Sequence, residues 1–291
     1  MAANIDTAFI NQFSANMHDL VEQQESRLRK TVNVENAKGE KHFFDRLGTF
    51  TASAVTGRNQ PITLQDADHS RRMATVTQYE AVTYLNDIDK LKMLIDPASD
   101  YAVKLARAHA KNLDDVIITA MLGSASTGQT GSGSTAFDTS NNQIAHGSAG
   151  FTVAKFNQAL RILESNEVDI DRTPLYLALG ALAKEDLLGD SSNQLTSFDF
   201  QDQKVLARGG FPTFRGVNIV NTQRITDETA DTTYRGLLYT EDTMKLAIAQ
   251  DMKIDVSNRN DLQGLPLQVA TYMMLGAVRM EEPTIVDVLY Q

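Results

Sequence analysis

Residues 123 to 130 read GSASTGQT, a G-x-x-x-x-G-Q-T spacing that a lysine in place of Gln129 would turn into a phosphate-binding loop. That chemistry needs a strand before the glycines and a helix after them, so that backbone N–H groups and a helix N-terminus face the phosphates. Here a helical stripe comes before, and the segment that follows, GSGSTAFDTSNNQIAHGSAG, has no helical period. The phosphate-contacting lysine is missing as well. The sequence predicts a flexible Gly/Ser/Thr surface loop of about 25 residues rather than a nucleotide site.

The other reactive groups are equally spare. Acids adjoin at Asp114–Asp115, Glu185–Asp186 and Glu281–Glu282. Neighbours on a helix diverge by roughly 100°, so the first two pairs do not form a carboxylate dyad, and solvated helix faces and strand ends account for all three. His69-Ser70-Arg71-Arg72 is the one compact basic cluster. Strand alternation sends Arg71 and Arg72 to opposite faces. The cluster could take a phosphate or pair with a neighbour's carboxylates, and an acid-rich chain favours pairing. None of the five histidines has H-x-x-x-H spacing, and the chain has no cysteine. Disulfides, thiol nucleophiles and Cys-based zinc sites are thereby excluded. With no G-x-S-x-G elbow and no Rossmann glycines, no catalytic residue, cofactor or metal site is expected, and the chain reads as something other than an enzyme.

The 291 residues allow one large domain or two smaller ones. A net charge of −10 makes the molecule a poor non-specific binder of DNA or anionic membrane. The opening MAANIDTAFINQFSANMHDL has no basic start followed by an apolar run, and no window approaches the ~20 apolar residues of a membrane span.

Residues 4 to 29 read as a helix, with Phe9, Ile10, Phe13, Met17, Leu20 and Val21 at helical spacing. Residues 31 to 87 read as a long β-ribbon with a polar tip over 57 to 68. A two-stranded ribbon is marginal alone in water, so it must lie on another surface. Residues 96 to 122 form the clearest helix, with Asp96 as N-cap, Pro97 at the first position and Gly123 at its end. An α/β unit follows over 151 to 237: a helix capped by Thr152, the buried strand PLYLALG, a short helix ended by Gly189, and a turn leading into VNIVNT. In MKLAIAQDMKIDV, Met244, Leu246, Ile248, Met252, Ile254 and Val256 share one parity, which predicts a strand with one buried face and a bend near Gln250. Core elements and a last strand, TIVDVL, close the chain.

This order of parts, with the stretches NIDTAFINQFSANMHDLVEQQESRLR, GEKHFFDRLG, DADHSRRMATV, LIDPASDYAVKLARAHAKNLDDVIITAMLG and GLPLQVATYMMLGAVRMEEPTIVDV, resembles the tailed-phage major capsid proteins of Hong Kong 97-like fold over nearly the whole chain. The resemblance implies an α+β fold. Residues 1–30 would be an N-terminal arm, and 31–95 would hold the E-loop with its flanks, an extended β-hairpin whose ribbon reaches over the adjacent subunit. Residues 96–145 and 236–291 would form a peripheral domain with a long spine helix, and 146–235 an axial domain. It implies a structural subunit that forms pentamers and hexamers of an icosahedral head around double-stranded DNA, assembled in the host bacterial cytoplasm and resident in the virion. Its partners would be its own copies, a separate scaffolding protein, a portal and a decoration protein. Contact candidates between subunits are Phe9, Phe13, Arg58, Asp66, Asp68, Arg71 and Arg72. The rival readings are an encapsulin-type nanocompartment shell, a tail-tube or surface-array subunit, and a soluble α/β enzyme.

Overall fold

The longest element is the helix the sequence predicts. In the computed structural model α1 spans Ala98–Leu122, and Leu113, Ile117 and Met121, one turn apart, are fully buried. The structure describes residues 23–55, 57–58, 64–86, 98–189, 213–225 and 233–291. The N-arm residues through 22, the Asp96–Pro97 cap and the ribbon tip over 59–63 lie outside them.

The chain divides into two compact units. The first is built from residues 78–110 and 250–273, with the described residues 23–25. It carries most of β4 (Thr77–Leu85), the far part of β12 (Met244–Asn258) and the near part of β13 (Leu267–Arg279), in the sheet order β12-β13-β4. His109 of α1 is buried, with Nε2 3.0 Å from Thr271 Oγ1, and that hydroxyl donates to Ala81 O at 3.2 Å.

The second unit holds residues 26–77, 111–249 and 274–291. β1 (Asn33–Asn36) pairs in parallel with Lys245–Ile248 of β12. A mixed six-stranded sheet orders β7 (Gln143–Ile144), β14 (Ile285–Tyr290), β11 (Tyr234–Thr240), β8 (Leu175–Leu179), β10 (Val217–Asn221) and β9 (Thr213–Phe214). Against it pack α2 (Val153–Ser165), through Phe156 and Leu163, and α3 (Ala181–Gly189), through Ala183 and Leu187. Thr152 caps α2 as expected, its hydroxyl accepting from Lys155 N.

The third sheet is the ribbon and its extension: β2 (Lys41–Leu47), β3 (His69–Thr75), β5 (Ala125–Thr127) and β6 (Gly133–Thr135), in that order.

Four expectations need correcting. Residues 23–28 are not helical, because the Asp114 carboxylate takes the amides of Arg27 and Leu28 at 3.1 Å and the Ser26 hydroxyl at 2.6 Å, and only a 3-10 turn, Arg29–Thr31, follows. The ribbon ladder stops at Leu47 and His69; beyond it the Gln65 side chain holds Thr51 by donating to its carbonyl at 2.5 Å and accepting from its amide at 3.1 Å. The segment after α1 is no loose loop, since it adds β5 and β6 to the ribbon sheet and β7 to β14. Finally, β12 buries Met244, Leu246 and Ile248 but exposes Met252, Ile254 and Val256, so its single buried face ends halfway.

Candidate functional site

The opening motif lies in the ribbon sheet. GSASTGQT starts at the helix end, becomes β5 and turns back through Gly128 and Gly131, whose φ values of 89° and 75° are left-handed. A strand follows that turn, not a helix, and Gly128 N donates to Arg71 O at 3.3 Å. The backbone donor a phosphate would need is committed to β3. With Arg46, His69, Arg71 and Arg72, the turn lines an open cleft of about 970 Å3 at the ribbon root.

Strand alternation parts the two arginines as expected. Arg71 is exposed and its Nε donates to Asp45 Oδ1 at 2.5 Å across the ribbon. Arg72 is buried, donates from Nη2 to both Glu282 oxygens at 2.8 and 3.0 Å, and from Nε to Met280 O at 3.3 Å. Arg72 is therefore an internal strut, and a place for it on a contact surface does not fit its burial. Arg58, Asp66 and Asp68 are exposed on the ribbon, and Phe9 and Phe13 lie outside the described residues.

Beneath Arg72 sits a second buried cation that sequence reasoning missed. Arg279 is fully buried; its Nη1 donates to Met121 O at 2.6 Å and Gly123 O at 2.7 Å, its Nη2 to Thr135 O at 3.1 Å, and its Nε stands 3.5 Å from Glu282. Burial pulls its pKa below the ordinary arginine value, with Glu282 opposing and Arg72 adding to the fall. The guanidinium closes the C-terminus of α1, where orphan carbonyls and the helix dipole both favour a cation. Its signal in the sequence was a charge inside the apolar run MMLGAVRM.

The acid pairs are likewise structural. Asp114 is buried on the 26–28 segment, while Asp115 pairs with Arg224. Asp186 accepts from Phe151 N at 2.8 Å, and Glu282 bridges two arginines. Asp287, also buried, accepts from Gln143 at 2.7 Å. Each of these acids is held by tertiary partners, and none faces a second carboxylate as a dyad would. Among the described residues no group of three or more His, Asp or Glu could hold a metal.

What the ribbon does leave open is apolar. Leu47, Phe50, Val55 and Leu64 are 56%, 57%, 89% and 86% exposed. Large apolar side chains left open along an arm with no core of its own are suited to burial against a partner surface.

The comparisons agree with that reading. The Phage_capsid_2 family model, described as phage capsid protein, matches residues 5–291. Among solved structures, the chain is similar to the capsid of cyanophage Pam1, with a TM-score of 0.74 and 15% identity over 99% of each chain. It is similar to the Mycobacterium phage Che8 structure (TM-score 0.73, 15% identity, 95% of each chain) and to the capsid of Helicobacter pylori bacteriophage KHP30 (TM-score 0.73, 10% identity, 99% of this chain and 98% of that one). At such identities the likeness is one of fold. None of the curated proteins compared matches the chain. With a family match over nearly its full length and the capsid fold in every part described, the chain belongs to the phage capsid protein family: it is a structural, non-enzymatic subunit of the phage head shell.

Proposed function

We propose that the subunit assembles through its ribbon and N-terminal arm into pentamers and hexamers that enclose double-stranded DNA. In this reading residues 31–95 hold the E-loop and its flanks, and the ribbon beyond β2 and β3 lies over the adjacent subunit. Residues 96–145 and 236–291 hold the peripheral domain with α1 as its spine, and 146–235 most of the axial domain that meets its copies around the five- and six-fold axes, its sheet completed by β7, β11 and β14. A separate scaffolding protein, a portal and a decoration protein complete the head, which assembles in the host cytoplasm. The observation that carries this is the ribbon: four large apolar side chains stand exposed on an arm without a core of its own. A net charge of −10 suits a wall that contains DNA without gripping it.

Limited trypsin digestion, read beside negative-stain electron microscopy, tests the reading. Cleavage after the exposed Arg58 is expected in free 32.0 kDa subunits and suppressed in closed particles. Equal cleavage in both states would remove the ribbon from the interface.

A further inference from the structure

Among the described residues, the far half of β12 has β13 on one side and no strand on the other. β1 pairs with β12 only as far as Ile248, Ala37 N makes a last hydrogen bond to Ile248 O at 2.9 Å, and the chain then turns into β2. From Ala249 to Asn258, no strand lies on that side among the described residues.

The backbone polarity of this edge can be read. β12 has 15 residues against 13 in β13, and the bonds from Met280 N to Thr243 O (2.8 Å) and from Arg259 N to Pro266 O (2.9 Å) at the two ends differ in register by two, so β12 bulges between them. Both ends give the same parity, since Ile248 O faces outward to Ala37 N and Arg259 N faces inward: odd-numbered residues turn their peptide groups toward β13. Even-numbered residues turn theirs outward. The outward amide of Met252 is met by the side chain of its own neighbour, Asp251 Oδ1, at 3.0 Å. On one face stand Met252, Ile254 and Val256, 40%, 46% and 52% exposed; on the other stand Lys253 and Asp255, both exposed. A long open edge with apolar alternation is a template for another strand.

We infer that this edge is a twofold interface, at which the β12 strand of a second copy pairs antiparallel with it, centred on Ile254. The inference rests on the shell reading above. A strand that pairs with itself must be self-complementary about its centre, and this one is. With Ile254 opposite Ile254, Met252 faces Val256 twice on the apolar face. Lys253 faces Asp255 twice on the polar face, although each Asp255 must share its carboxylate with Ser257 Oγ at 3.2 Å. Other centres fail. Centring on Lys253 opposes Asp251 to Asp255, and centring on Asp255 opposes that residue to itself. Centring on Met252 would bring Val256 against Ile248, where β1 already lies. Odd sums of paired positions put charged side chains on the apolar face. In the surviving register Met252, Ile254 and Val256 form hydrogen-bonded pairs, and Met252 N exchanges the Asp251 carboxylate for Val256 O of the second copy.

The chain has no cysteine, so single thiols report position cleanly. Ile254→Cys, Met252→Cys and Val256→Cys full-length chains are treated with a short thiol–thiol crosslinker and read on denaturing gels. Assembled particles are used, or the concentrated subunit if no particles form. Dimers several-fold more abundant from position 254 are expected. Copies of residue 252 would lie roughly 13 Å apart along the paired strands, beyond a short linker. As a second arm, Lys253→Asp and Asp255→Lys each place like charges together and should lower dimer yield several-fold in the Ile254→Cys chain. Combining them swaps the signs and should restore it. Equal dimer from all three positions, none from 254, or no rescue by the charge swap overturns the pairing. Electron microscopy of the same samples judges the shell reading separately: closed particles without the 254 dimer sink only the pairing, and the 254 dimer without particles sinks only the shell reading.

Discussion

The ribbon root and the far half of β12 handle their side chains in opposite ways. At the root, charges that would ordinarily be solvated are buried and satisfied within the chain: Arg72 by Glu282, and Arg279 by three backbone carbonyls and Glu282. Along β12, apolar side chains that would ordinarily be buried stand open at Met252, Ile254 and Val256. A subunit meant for a shell needs both. The first kind of region fixes the fold of one copy; the second leaves burial to be completed by another. The difference predicts that mutations at the root act on folding, and mutations along the edge act on assembly.

The largest expected effect is at Arg279. Arg279→Met keeps most of the volume and removes the cation, leaving the carbonyls at the end of α1 and one side of Glu282 without a donor. Breaking a buried ionic arrangement on one side is worth about 3–5 kcal/mol. Urea unfolding of the unassembled subunit, followed by circular dichroism, should show a loss of that size. A change under about 1 kcal/mol would mean that the root is not what holds the subunit fold.

These two regions also mark what could be read from sequence. α1, α2 with its Thr152 cap, β8 and α3 follow from local periodicity and end signals; their described bounds lie within two residues of those expected, except that α2 stops at Ser165, three residues short of Val168. The roles of Asp114 and Arg279 do not follow, because their partners are distant in the chain: Ser26 lies 88 positions from Asp114, and Thr135 lies 144 from Arg279. A carboxylate on a helix looks solvated until the segment it caps is placed against it. For the same reason the loop after α1 looked unstructured, since β5 is a strand only because β3 offers Arg72 and Met73 as partners. The parity of β12 was legible, but parity gives the face and not what covers it.

A middle-sized effect is set by pH. Tyr290 closes the last strand inside the second unit, fully buried near Phe151 and Tyr234. Burial pushes its phenol up to about 12 from 10.0, with Asp186 adding to the rise and a backbone hydrogen bond at Gly180 opposing it. The fold thus favours the neutral form. Its contribution is complete below pH 10, where the unfolded chain begins to ionise, and is lost as pH rises toward 12. A two-unit shift corresponds to roughly 2–3 kcal/mol. Tyr290→Phe should flatten this alkaline loss in unfolding experiments between those limits. An identical pH slope in the variant would show that other tyrosines or lysines carry it.

The smallest expected effect is the sharpest for the comparison. Ile254→Thr keeps the β-branch and strand propensity of the edge while replacing a methylene-bearing arm with a hydroxyl. In a single copy that side chain is already 46% exposed and sits beside an open edge, so little burial is lost. Subunit stability should stay within about 0.5 kcal/mol of the parent, as for ordinary surface positions. Particle yield, measured by sedimentation of assembled material, should nevertheless fall, because the pairing centres on this residue and its burial is made between copies. The two readouts must separate for the comparison to stand. A subunit that loses several kcal/mol would show that Ile254 is buried by its own chain, and that the β12 edge, like the ribbon root, is closed within one copy.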